Sequence, residues 1–154
     1  MPAKKLKKFL GDHGVKYESI QHSPAYTASM VAQSAHISGS DFAKAVMVKI
    51  EGELAMVVLP AHRKILLSEL RNLLLSEKVE LANEDEFIGC FPDCELGAMP
   101  PFGQMYGMPL YMDLSLTKYP EIAFNAGNHH EVLRMTTDEY MLLAEPIVMD
   151  FATV

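Results

Sequence analysis

Cysteine is scarce in this chain of 154 residues, which has two, Cys90 and Cys94. So few thiols exclude a disulfide-stapled scaffold, and their separation is wrong for Cys-x-x-Cys redox or zinc motifs, so buried or incidental thiols are expected. Also missing is an apolar run near the ~20 residues that a membrane-crossing helix needs. The opening stretch, Met1 to Leu10, lacks the long apolar segment of a signal peptide, and the expectation is a soluble cytoplasmic protein without a membrane partner. Positive charge is in short supply: 13 Lys and Arg against 20 Asp and Glu leave a net charge of −7. Such a balance argues against gripping long nucleic acid, DNA included, by bulk electrostatics, and leaves room for a short local contact. No low-complexity tract argues for disorder, and no internal repeat is found.

What is present fits one domain spanning residues 1–154: hydrophobic residues make up 49% and charged ones 21%, ordinary globular values. The cations gather at Lys4, Lys5, Lys7 and Lys8 and again at His62, Arg63 and Lys64. Both clusters fit a patch on an acidic body, and both equally fit solvated faces.

The clearest structural signal runs from Phe42 to Pro60, where two runs rich in Val, Ile, Leu and Met flank Glu51-Gly52. This reads as a β-hairpin with a two-residue loop whose glycine tolerates positive φ. Ile50 then faces Glu53 and Lys44 faces Leu59, with Phe42, Lys44, Val46, Val48 and Ile50 on one face and Ala43, Ala45, Met47 and Lys49 on the other. Both faces are largely apolar, so Lys44 stands in a row that should be buried for most of its length. Its ammonium must reach solvent along its stem, pair, or receive an anionic ligand.

Elsewhere, Leu6, Phe9 and Leu10 predict a short amphipathic helix ending at Gly11 or Gly14. A strand is expected over Val15 to Gln21, a helix capped by Thr27 and running to about Ala35, and a connection over His36 to Asp41. Beyond the hairpin come a helix capped by Ser68 and a strand over Val79 to Ala82, then a short helix after the capping-box pair Asn83 and Glu86. Strands are expected at Leu110 to Leu114, Glu121 to Ala126 and Glu131 to Met135. A helix follows the second capping-box pair, Thr136 and Glu139, and a last strand spans Ile147 to Phe151. The predicted class is α+β, with a curved, mixed and largely antiparallel sheet, barrel-like and flanked by short helices.

Between these elements lies a stiff segment, Gly97-Ala98-Met99-Pro100-Pro101-Phe102-Gly103. Gly97 admits close approach because it has no Cβ, and the prolines fix φ and withhold donors. The segment suits recognition of a small group by main-chain atoms, and it suits a rigid surface connection equally well. His129 and His130, being adjacent, would point to opposite faces of a strand, and no metal site is expected from them. A nucleophilic Cys90 or Cys94 would need a neighbouring base.

Three stretches occur in order: Phe42 to Val48 with Leu59 to Lys64, then Gly97 to Gly103, then Phe124 to His129. Together they resemble the YbaK/prolyl-tRNA-synthetase-associated editing-domain family over nearly the whole chain. The resemblance implies a trans-editing deacylase that hydrolyses the ester joining a wrong amino acid to the terminal adenosine of a tRNA. It assigns Lys44 to orienting the aminoacylated 3′ end, and Gly97 and Pro101 to the loop that places the ester and the water. Around them it groups Ala45, Ala98, Met99, Pro100, Gly127, His62 and one of His129 or His130 as substrate-binding positions. It implies no metal or cofactor and a tRNA 2′-hydroxyl in place of a protein base, with a synthetase or elongation factor as possible partner in delivery. Ala43, Ala45 and Ala98 would narrow a pocket to Ala-, Ser- or Thr-sized side chains. The rival expectation is a non-catalytic module that binds a small ligand or a synthetase through the same pocket.

Overall fold

The structure is a computed structural model, and it describes residues 2–23, 30–31, 35, 41–95 and 97–153. The helix expected after Thr27 and the connection after His36 lie for the most part outside the described residues. The first helix, α1 (Pro2–Asp12), buries Leu6 and Leu10 completely and stops at Gly14, whose φ is +68°. Strand β1 (Glu18–Gln21) follows, and β2 (Phe42–Ile50) and β3 (Glu53–Pro60) form the hairpin. Its register is the expected one, with Ile50 opposite Glu53 and Lys44 opposite Leu59. The loop places Glu51 as well as Gly52 in the left-handed region, at φ 52° and 83°, which matches the right-handed twist of the strands it joins.

Helix α2 (Leu67–Leu74) begins one residue before Ser68, with Leu66 as its N-cap, so the predicted serine cap is not formed. Strand β4 (Val79–Leu81) leads into α3 (Glu84–Phe87), where the Asn83–Glu86 capping box forms as expected. Strands β5 (Leu110–Asp113), β6 (Glu121–Asn125) and β7 (Glu131–Thr136) precede α4 (Thr137–Ala144), and β8 (Ile147–Met149) comes last. Thr136 caps α4 by accepting a hydrogen bond from the Glu139 N–H at 3.2 Å.

All eight strands join one sheet of order β1-β7-β6-β2-β3-β5-β8, with β4 paired to β2. Four pairings are antiparallel and three, β2–β6, β3–β5 and β5–β8, are parallel. The expected barrel-like closure is not found: the sheet is open, with β1 and β8 at its ends. Closure needs hydrogen bonds between the first and last strands, and the short β1 and β8 each pair on one side only among the described residues.

The main core covers the face of β2 that carries Ala43 and Met47, where Leu6, Leu10, Met99, Phe102, Phe124 and Tyr140 meet. The opposite face carries two smaller clusters, one around Phe42, Ala61 and Ala123, the other around Val48, Leu59, Leu70 and Phe151. Lys44 lies on this second face, in the row between Phe42 and Val48. Asp113 is fully buried and accepts the N–H groups of Phe151 and Ala152 at 3.0 Å each, which fastens the end of the chain to β5.

Candidate active site

The hairpin register decides where main-chain groups of β2 point. In an antiparallel pair closed by a two-residue loop, alternate residues bond the partner strand and the others turn to the far edge. Here Ile50, Val48, Val46 and Lys44 face β3, which leaves Lys49, Met47, Ala45 and Ala43 to the other side. That far edge is shared by two strands. β6 pairs with Phe42 and Ala43, and β4 pairs with Val48, Lys49 and Ile50. Ala82 N–H reaches the Met47 carbonyl at 3.0 Å. Strand pairing on this edge therefore stops after Ala43 and resumes at Val48, and the Ala45 amide turns into the gap.

On one face of the sheet, beside that gap, Lys44 is half-buried. Its Nζ donates to the Ala61 carbonyl at 3.2 Å, and burial together with the nearby Lys64 holds its pKa below the ordinary lysine value. A cavity of about 280 Å³ adjoins it, lined by Lys44, Val46, Leu59, Lys64, Ile65, Leu67 and Leu81. His62 is exposed in the loop that begins this wall.

The opposite face carries the glycine-proline segment. Gly97 has φ +84°, a conformation that favours glycine, and a Cβ there would stand 3.7 Å from the His129 Cε1. Glu95 N–H donates to the Gly127 carbonyl at 2.8 Å, so the segment is braced on the turn between β6 and β7. Ala98, Met99, Pro100 and Pro101 are buried behind it, and the fully buried Tyr140 donates its hydroxyl to the Pro101 carbonyl at 2.6 Å. Gly127 turns the chain at φ +97°.

The two histidines separate. His129 is buried beside Gly97, whereas His130 is exposed and its Nδ1 lies 3.4 Å from Gln21 Oε1, against β1. The Asn128 side chain accepts the His130 N–H at 3.0 Å and sets this division. The direct contacts thus bring Gly97, Gly127 and His129 together on one side of β2. Lys44 stands on the other side, beside Lys64, and His62 lies two residues before Lys64.

Two residues that sequence reading passed over belong to this region. Asn125 ends an otherwise apolar strand on the Lys44 face, and its buried Oδ1 has no hydrogen-bond donor. A lone amide at the inward end of an apolar run is the signal that would have found it. Lys64 was legible only as one of a cationic cluster. Neither cysteine has the surroundings of a nucleophile: Cys94 contacts the Tyr106 hydroxyl at 3.4 Å, and burial pushes its thiol pKa up, away from the thiolate. Among the described residues no group of His, Cys, Asp and Glu is arranged to hold a metal ion. No helix among them is long and apolar enough to cross a membrane.

Comparison with known proteins agrees with this layout. The chain is 27% identical over 150 residues to the multifunctional Ser/Thr-tRNA deacylase ProXp-y of Escherichia coli K12, covering 92% of this chain and 87% of the relative. Among solved structures it matches a candidate trans-editing enzyme for prolyl-tRNA synthetase, with TM-score 0.83, 22% identity, and 99% and 98% of the two chains covered. A hypothetical protein of known structure gives TM-score 0.85 at 20% identity, with 97% and 99% covered. The family model for the aminoacyl-tRNA editing domain matches residues 22–143, and so the chain, through its hairpin lysine, its glycine-proline segment and its β6–β7 turn, belongs to the aminoacyl-tRNA editing domain family.

Proposed function

We propose that this protein is a trans-acting aminoacyl-tRNA deacylase that removes a small amino acid, Ala, Ser or Thr, from the 3′ end of a mischarged tRNA in the cytoplasm. The observation that carries the reading is the gap in the β2 edge, with the Lys44 ammonium on one face and the segment braced by His129 on the other. A terminal nucleotide held by Lys44 brings its ribose ester to the gap, where main-chain groups of Ala45 and Gly97 border it. Water adds to the ester carbonyl carbon, the bond to the ribose oxygen breaks, and the proton passes to that oxygen through the neighbouring 2′-hydroxyl. The free amino acid and the tRNA leave.

No protein base is needed in this scheme. Ester and hydroxyl are already neighbours, and orienting them with a water is worth roughly 7–11 kcal/mol in favourable intramolecular cases. Ala43, Ala45 and Ala98 keep the acyl pocket small, so larger side chains clash. The acidic body supports a contact limited to the acceptor end, with a synthetase or elongation factor delivering the tRNA.

The test is a panel of mischarged tRNAs. Hydrolysis of the Ala, Ser or Thr esters, reduced about 100-fold or more by Lys44→Ala, is expected, the scale on which loss of one charge-stabilising donor acts. An absence of turnover above the spontaneous rate, or an unaffected Lys44→Ala, overturns the reading. Ligand-induced stabilisation without turnover would point to a binding module.

A further inference from the structure

We propose that the cavity beside Lys44 seats the 3′-terminal nucleoside of the tRNA and that Lys64 holds that nucleotide's phosphate, an inference that rests on the deacylase reading. The walls of the cavity are apolar: Val46 and Leu59 from the hairpin, Ile65 and Leu67 from the segment entering α2, and Leu81 from β4. Two ammonium groups, Lys44 and Lys64, share that lining. Like charges placed together at an apolar surface repel until an anion joins them, and the Coulombic pressure of Lys64 on Lys44 is direct evidence that they feel each other.

An anion that also has a flat, apolar body satisfies both features. Inorganic phosphate would leave five hydrocarbon walls uncovered, and an uncharged nucleoside would leave the cations facing each other. A nucleoside monophosphate covers the walls with its base and meets the cations with its phosphate. At about 280 Å³ the cavity lies near the lower end of small-ligand sites, roughly 300 Å³, which fits one nucleotide.

The other basic cluster is already committed elsewhere. Lys7 pairs with Glu131 at 2.6 Å, Lys8 pairs with Asp12 at 3.5 Å, and Lys5 lies over the Tyr106 ring at 5.0 Å. On a chain of net charge −7, Lys64 is the cation that stands with Lys44 at a cavity. Position adds a further argument. Lys44 belongs both to the cavity lining and to the strand that borders the gap, so a base lodged against Leu67 and Leu81 directs its ribose toward Ala45.

The experiment titrates the full chain with AMP, adenosine and inorganic phosphate while following its methyl signals by NMR. AMP is expected to shift Leu59, Ile65, Leu67 and Leu81 and to bind roughly tenfold more tightly than adenosine or phosphate, the weight of one charge-assisted contact. Lys64→Ala should weaken AMP about tenfold and leave adenosine unchanged. The same variant should raise KM for mischarged tRNA with kcat nearly intact, and Lys64→Glu should raise it further. AMP shifts that map elsewhere, phosphate that binds as well as AMP, or AMP affinity unchanged in Lys64→Ala would each overturn the proposal. If AMP binds as expected but no mischarged tRNA is hydrolysed, the nucleotide seat stands and the deacylase reading fails.

Discussion

Burial and the neighbouring Lys64 hold the Lys44 ammonium below the ordinary lysine pKa, and this has a consequence for stability as well as for binding. A lysine whose pKa is lower in the folded chain than in the unfolded one weighs against folding while both states are charged. The burden lifts as pH climbs from the folded value toward the unfolded ~10.4. Lys44→Met is therefore expected to raise Tm at neutral pH while abolishing deacylation, with each kcal/mol gained appearing as about 2–4 °C in a thermal melt. The gain should shrink as the melt is repeated at higher pH, and a lower Tm for Lys44→Met would refute this account. Lys44 was legible in the sequence because period-2 alternation alone sets it in an apolar row. The division between His129 and His130 was not, since it depends on the Asn128 turn and on which face of β7 meets β1.

Two elements hold the glycine-proline segment, and they can be tested separately. Tyr140 reaches from α4 to the Pro101 carbonyl, so Tyr140→Phe leaves a buried acceptor without its donor. We expect a loss of about 1–3 kcal/mol in denaturant unfolding together with slower deacylation, because Pro101 is no longer pinned. The glycines make a contrast. Gly97 has the positive φ, yet a Cβ there meets nothing nearer than His129 Cε1 at 3.7 Å. A Cβ on Gly103 would lie 2.6 Å from the Met108 carbonyl oxygen and 3.3 Å from the Leu110 Cβ. Gly97→Ala should cost about 1–2 kcal/mol, the price of a left-handed alanine, and Gly103→Ala more, because backbone has to move. Equal unfolding midpoints for the two variants would contradict this.

At this scale the sequence was informative wherever the signal is local. A two-residue loop fixes the hairpin register, and Ser/Thr/Asn followed three residues later by Glu marks the starts of α3 and α4. It was silent where the partner is remote, as with the brace between Glu95 and Gly127, which are 32 residues apart. Leu66, which takes the N-cap position expected of Ser68, shows how tertiary placement overrides a local preference.

Across the whole molecule, Glu131 latches three elements that meet far from the hairpin turn. Its carboxylate lies 2.6 Å from Lys7 of α1 and accepts the Ser19 hydroxyl of β1 at 2.5 Å, while its own backbone belongs to β7. Burial alone would raise its pKa, but the hydrogen bonds from Lys7 and Ser19 outweigh it and hold the pKa below the usual carboxylate range. A carboxylate lowered on folding stabilises fully above its unfolded pKa of ~4.3, and that contribution fades as pH falls through the folded value. Glu131→Gln should thus lose about 1–3 kcal/mol at pH 7 and show a weaker dependence of Tm on pH in the acid range. Lys7→Met, which leaves the carboxylate buried, should move the acid transition to higher pH. An unchanged acid profile in both variants would show that the latch contributes nothing.

The α+β class and the strand-rich order were readable from periodicity. The open sheet and its parallel pairings were not, because they depend on which remote strands meet, and no local pattern carries that. The break in pairing along β2 belongs to the same category, and it bears on how this site tolerates change. Every amino acid except proline supplies the same N–H at position 45, so ordinary mutation there reshapes the acyl pocket while leaving the backbone contact in place. Acceptance of a different amino acid can therefore drift without disturbing the hydrolytic step, and only Ala45→Pro would delete both at once.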